Sequence, residues 1–167
     1  MTAKLIDGKQ TALDIRKEIG ETVRELTEKG KRAPGLAVVL VGENPASQFY
    51  VRSKTRACKD AGIYSRQIDY ATDVSEEKLL STIEELNRDG DIDGILVQLP
   101  LPDHIDEQKV IDAVSPEKDV DGFHAINVGE LSLGRDSFVP CTPLGVKELL
   151  IRYGVDTSGA FAVVLGR

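Results

Sequence analysis

Gly35-Leu-Ala-Val-Val-Leu-Val-Gly42 places six apolar residues between two glycines. A run this short and this continuous reads as a strand buried on both faces, the pattern of a parallel sheet covered on each side by helices. The segments around it alternate in the same sense. Upstream, Ile15, Ile19, Val23 and Leu26 recur at helical spacing over 8–28, and Lys29-Gly30-Lys31 supplies a stop. Downstream, a helix is expected from Pro45 to Ala61, halted by Gly62, then a more polar edge strand over 65–70. Ser75 reads as an N-cap with Glu76 and Glu77 in the first turn, and Leu79, Leu80, Ile83 and Leu86 as the buried stripe behind it. A third strand is expected over Gly94–Pro100 and a short helix over Asp106–Val114. Residues 117–140 lack apolar periodicity and read as a long connection, a feature often functional. Thr142-Pro143 is expected to open a helix with threonine as cap, with Val146, Leu149, Leu150 and Tyr153 as its buried face. Phe161–Leu165 then reads as a buried strand leading into Gly166-Arg167, so that the chain would end just inside a second domain. The fold class is α/β with a mainly parallel sheet.

Composition bounds the function. The chain has 167 residues, 41% of them hydrophobic and 29% charged, an ordinary balance for a globular protein. With 21 basic against 28 acidic residues the net charge is −7, which argues against a nucleic-acid surface. No apolar run of about 20 residues is present to span a membrane. Two cysteines, Cys58 and Cys141, are too few for a disulfide framework, and a reducing cytoplasm is the simplest home. His104 and His124 lack local partners at metal-ligand spacing, so no metal site is expected.

Three places could carry chemistry. Ser47, Tyr50 and Lys54, spaced three and four, form one ridge of the second helix. On spacing alone, a solvated face with a snorkelling lysine explains them as well. Gln98 is a polar residue in an apolar strand, at the carboxyl edge where α/β sheets bind ligands. A glutamine bonding backbone at a sheet edge is the competing explanation. Lys118-Asp119-Val120-Asp121-Gly122 sets two acids before a glycine, usually a self-capping turn.

Taken in order, Val41-Gly-Glu-Asn-Pro-Ala-Ser47-Gln-Phe-Tyr50-Val-Arg-Ser-Lys54, Gly94-Ile-Leu-Val-Gln98-Leu-Pro-Leu-Pro102, Pro116-Glu-Lys-Asp119-Val-Asp121-Gly122-Phe, Asn127-Val-Gly129, Pro140-Cys-Thr-Pro143-Leu-Gly145 and Val164-Leu-Gly166-Arg167 closely resemble the bifunctional methylenetetrahydrofolate dehydrogenase/cyclohydrolase family. The resemblance implies a folate-binding domain over 1–141, with 142–167 as a linking helix and the first strand of a truncated Rossmann-like NAD(P) domain. It implies oxidation of 5,10-methylenetetrahydrofolate with NADP (or NAD), then hydrolysis of the methenyl compound to 10-formyltetrahydrofolate, in one-carbon metabolism. Lys54 would be the catalytic amine, hydrogen-bonded by Gln98, with Tyr50 packed on the folate and Asp121 on its amino-pyrimidine edge. A neutral amide suits the lysine, because a carboxylate there would favour the ammonium form. Ser47, Val97 and Leu99 would support the substrate; Cys141, Thr142, Gly166 and Arg167 would face the dinucleotide. The implied partners are tetrahydrofolate derivatives and, in the full-length parent, a second copy. The alternatives are a non-catalytic folate- or nucleotide-binding module and an inactive fragment of the enzyme.

Overall fold

The structure is a computed structural model that describes residues 5–165. Its order is α1 (Gly8–Glu28), β1 (Gly35–Val41), α2 (Pro45–Asp60), β2 (Tyr64–Tyr70), α3 (Glu76–Arg88), β3 (Gly94–Val97), α4 (Glu107–Ala113), α5 (Ala125–Ser132) and α6 (Cys141–Arg152). The strands form one parallel sheet in the order β2-β1-β3, with Gly35 opposite Tyr64 and Leu36 opposite Gly94. β1 lies at the centre, which accounts for its unbroken apolar run. Its alternate side chains enter two cores. Ala37, Val39 and Val41 pack with Leu79, Ile83 and Leu86 of α3 and Val110 of α4; Val38 and Leu40 pack with Val51 of α2 and Leu96 of β3. Helices therefore cover both faces, and each fully buried Leu or Ile contributes about 1.5–3 kcal/mol.

The local signals act as their chemistry dictates. Asp7, Asn44, Ser75 and Asp106 each accept a first-turn backbone N–H and start α1, α2, α3 and α4. Gly94 is required by contact: a Cβ there would sit 2.5 Å from Val120 Cγ1. Its bareness lets residues 118–120 lie along β3, where Ile95 N donates to Lys118 O at 2.7 Å.

Several expectations are corrected. β3 ends at Val97 rather than at Pro100, although Gln98 N still donates to Val39 O at 2.8 Å. Residues 117–140 are not an open connection. They hold the bridge Ile95–Asp119 and helix α5, whose one buried residue is Asn127. A helix anchored by a polar residue leaves no apolar stripe to detect. α6 starts at Cys141 behind Pro140, and no side chain caps it, so Thr142 is not its cap. Its expected buried face is open: Val146 is 54% exposed, and Leu149, Leu150 and Tyr153 are half-buried. α6 leans on α1 and its N-cap, through Arg152 Nη2 to Glu18 Oε2 at 2.6 Å and Asp7 N to Tyr153 Oη at 2.8 Å. α1 is likewise lightly covered, with Val23 buried but Ile19 and Leu26 exposed. Phe161–Leu165 forms no strand and is exposed, because no described strand offers it a ladder. Gly166 and Arg167 lie outside the described residues.

Candidate active site

The site lies at the carboxyl ends of β1 and β3, under the first half of α2. Lys54 faces the residues that follow β3: its Nζ donates to Gln98 Oε1 at 3.1 Å. Gln98 Nε2 donates to Leu99 O at 2.7 Å. With its NH₂ occupied by that carbonyl, the amide can turn only its oxygen toward the amine. The side chain thus bonds backbone with one end, as the competing explanation expects, and holds Lys54 with the other. Ser47 is buried beneath the ridge, and its N–H joins the Asn44 cap at 3.2 Å. Tyr50, one turn before Lys54, is 58% exposed and meets Phe49 edge-on at 6.0 Å, leaving a ring face free.

The two acids of the 118–122 segment separate cleanly. Asp119 is buried and accepts from Gly122 N (3.1 Å), His124 N (2.8 Å) and Asn127 Nδ2 (2.9 Å). The self-capping turn is therefore its role. Asp121 is half-buried and has no hydrogen-bond partner among the described residues. Burial pushes its carboxyl up from the ordinary aspartate value; the Lys54 charge pulls it back, and the Asp119 charge adds to the rise. A half-buried carboxylate with free lone pairs is poised to accept N–H donors from a ligand. Val97 and Leu99 border the same region, sharing a cleft with Ile95, Val110, Phe123 and Asp121.

The entry to α6 adjoins this turn. Gly122 holds φ at +68°, and a Cβ on it would lie 2.6 Å from Phe138 O and 3.3 Å from Pro140 Cδ. Cys141 and Thr142 follow at once and are exposed. With no side chain capping α6, its first N–H groups remain available to a polar ligand. The structure thus brings together Lys54, Gln98, Asp121, Val97 and Leu99, with Tyr50 on the same ridge and Cys141 and Thr142 beginning beside the Asp121–Gly122 turn. Sequence reasoning missed Asn127 and Ser137. The only sign of them was Asn127 in a quoted motif, with no chemistry attached. His104 and His124 serve locally, at Val74 O and as the α5 cap. Among the described residues no three His, Cys, Asp or Glu side chains gather as a metal set, and no helix is long and apolar enough to cross a membrane.

Comparison with known proteins places the chain in a family. Residues 6–121 match the family model for the tetrahydrofolate dehydrogenase/cyclohydrolase catalytic domain. The chain is 55% identical over 166 residues to the bifunctional protein FolD of Porphyromonas gingivalis, covering 99% of this chain and 56% of that protein. It is 56% identical over 164 residues to the FolD of Listeria innocua, covering 98% of this chain and 57% of that one. Among solved structures, the silkworm Bombyx mori 5,10-methylenetetrahydrofolate dehydrogenase superposes with a TM-score of 0.91 at 47% identity, over 93% of this chain and 54% of the other. The Trypanosoma brucei FolD, complexed with NADP cofactor and inhibitor, gives 0.89 at 38% identity, over 93% and 54%. The chain belongs to the tetrahydrofolate dehydrogenase/cyclohydrolase family. It spans little more than half the length of these relatives.

Proposed function

We propose that this chain carries the folate-binding and catalytic residues of a bifunctional enzyme that oxidises 5,10-methylenetetrahydrofolate with NADP and hydrolyses the methenyl product to 10-formyltetrahydrofolate. The observation that carries this reading is the Lys54–Gln98 hydrogen bond at 3.1 Å, set beside an Asp121 carboxylate that no described residue satisfies. In the proposed complex Asp121 accepts the N–H donors of the amino-pyrimidine edge, and the Tyr50 ring packs along the flat heterocycle. This orientation puts the one-carbon unit over Lys54. In hydrolysis, water adds its oxygen to the cationic methenyl carbon and gives one proton to Lys54, acting in its amine form; Lys54 returns that proton to the ring nitrogen as its bond to carbon breaks, and the remaining hydroxyl proton leaves to solvent as the formyl C=O forms. Gln98 keeps the amine aimed without neutralising it by a counter-charge. When bound, NADP supplies the hydride acceptor. Cys141 and Thr142 at the open start of α6 would hold its nicotinamide end, with Gly166 and Arg167 assigned to its phosphates by the resemblance.

Residues 1–141 would then form the folate domain, and 142–167 the link to the cofactor half. The net charge of −7 supports a protein without nucleic-acid partners; a cytoplasmic homodimer follows from the resemblance for the intact form. The test is methenyltetrahydrofolate hydrolysis by the intact protein and its Lys54→Met variant. A loss of at least a hundredfold, typical when an acid–base group is removed, is the expected result. Unchanged rates would refute Lys54 as the catalytic group. Saturable folate binding with no turnover in the wild type would instead establish a binding module.

A further inference from the structure

We propose that Asn127 is a positioning residue for Asp121: acting through Asp119, it fixes the turn that presents the Asp121 carboxylate to the folate, an assignment that rests on the functional reading above. Asn127 and Asp119 are both 6% exposed. Asn127 Nδ2 donates to Asp119 Oδ2 and to Pro116 O, each at 2.9 Å. Ser137 Oγ closes the other side, donating to Asn127 O at 3.0 Å and Oδ1 at 3.2 Å. Asp119 in turn holds the backbone N–H groups of Gly122 and His124. Asp121 therefore sits between two anchors: the backbone bridge of Asp119 to Ile95 on one side, and the Gly122 N–H held by the Asp119 carboxylate on the other.

The chemistry of Asp119 explains why its donors matter. It is a buried carboxylate whose donors among the described residues are all neutral, so its burial is tolerated only while they satisfy it. Asn127 supplies the one side-chain donor of the three. Remove it, and the cheapest relaxation is for Asp119 to turn toward water, pulling Gly122 and shifting Asp121 away from Lys54. Because Phe138 O lies against the Gly122 Cα, the strain also reaches the entry of α6. The negative charge of Asp119 contributes to the raised carboxyl of Asp121, so the titration of Asp121 reports the spacing of the two acids and of Lys54.

The test uses Asn127→Leu and the milder Ser137→Ala, each in the intact protein. Two quantities are measured well below the melting temperature: the ¹³C NMR titration midpoint of the Asp121 carboxyl, assigned by its loss in Asp121→Asn, and the calorimetric Kd for 5-formyltetrahydrofolate. Asn127→Leu is expected to displace the midpoint and weaken binding about tenfold, the scale of one lost hydrogen bond. Ser137→Ala should shift both in the same direction by less. A purely structural role would lower the melting temperature and leave both quantities at wild-type values, which overturns the proposal. Should Asn127→Leu not fold, an unchanged midpoint and Kd in Ser137→Ala overturn it equally. A wild type that binds no folate refutes the functional reading, while the titration still decides whether Asn127 positions Asp121.

Discussion

Asp121→Asn should make the protein more stable and less able to bind folate. In the native state this carboxyl is half-buried and unsatisfied, and burial raises its pKa despite the Lys54 charge. The sign follows directly. A carboxyl whose folded pKa exceeds the unfolded value favours folding only while protonated, and that contribution is lost as pH rises through the folded pKa. Once ionised, the group therefore opposes folding. An amide of the same shape removes the charge, and optimising one such group commonly yields about 0.5–2 kcal/mol. For a chain of this size, a gain of 1 kcal/mol raises Tm by about 2–4 °C. The difference should shrink as pH falls and Asp121 becomes neutral. Binding should move the other way. An amide offers one acceptor oxygen where the carboxylate offers two and turns an NH₂ toward the second donor, and losing a charge-assisted pair costs about 1.5–3 kcal/mol, roughly a 10- to 150-fold rise in Kd. Thermal melts at pH 7 and pH 4 with calorimetry of 5-formyltetrahydrofolate measure both. A variant less stable than wild type at pH 7, or one with unchanged Kd, would refute the reasoning.

Asp93→Asn should show the opposite pH signature. The Arg32 guanidinium, at 2.7 Å, and the Gly35 N–H hold the Asp93 carboxyl below its ordinary value. Its stabilising effect is present above the unfolded pKa and is lost as pH falls through the folded one. The variant should melt about 2–4 °C low at pH 7, discounted for partial exposure, with the gap closing below pH 4. Leu79→Ala, at a fully buried site between α3 and β1, should cost about 2–5 kcal/mol by denaturant titration. Gly122→Ala should lower both Tm and folate affinity, because φ is +68° and the new methyl would strike Phe138 O; a neutral outcome in both assays would contradict the packing described.

How far the fold could be read depended on how each segment is stabilised. β1, α2 and α3 carry their own evidence, since apolar period, cap and glycine stop coincide in a dozen residues. α5 does not, because hydrogen bonds of Asn127 secure it rather than an apolar stripe. Val146 in α6 and Val164 near the chain's end have the right spacing or composition for burial, yet no described element covers them. Periodicity reports which face could be buried and says nothing about what arrives to bury it. The site divides similarly. Ser47, Tyr50 and Lys54 share a helix face and were legible as a ridge. Lys54 and Gln98 meet across 44 residues, a distance no local pattern spans, and only the family resemblance joined them. Asp119 and Asp121 look alike in sequence; the three donors around one and the absence of donors around the other distinguish them.

The tether between α1 and α6 has a mechanical corollary. α6 contains 12 residues, so at 1.5 Å per residue its two ends stand about 17 Å apart. Arg152 and Tyr153 fasten the far end to Glu18 and Asp7, making that end the pivot and Cys141–Thr142 the swinging tip. A tilt of about 5° displaces the tip by about 1.5 Å, and reactive groups misplaced by about 1 Å can lose a hundredfold in rate. A surface ion pair remote from the proposed folate site would thereby set the reach of the helix proposed to meet the dinucleotide.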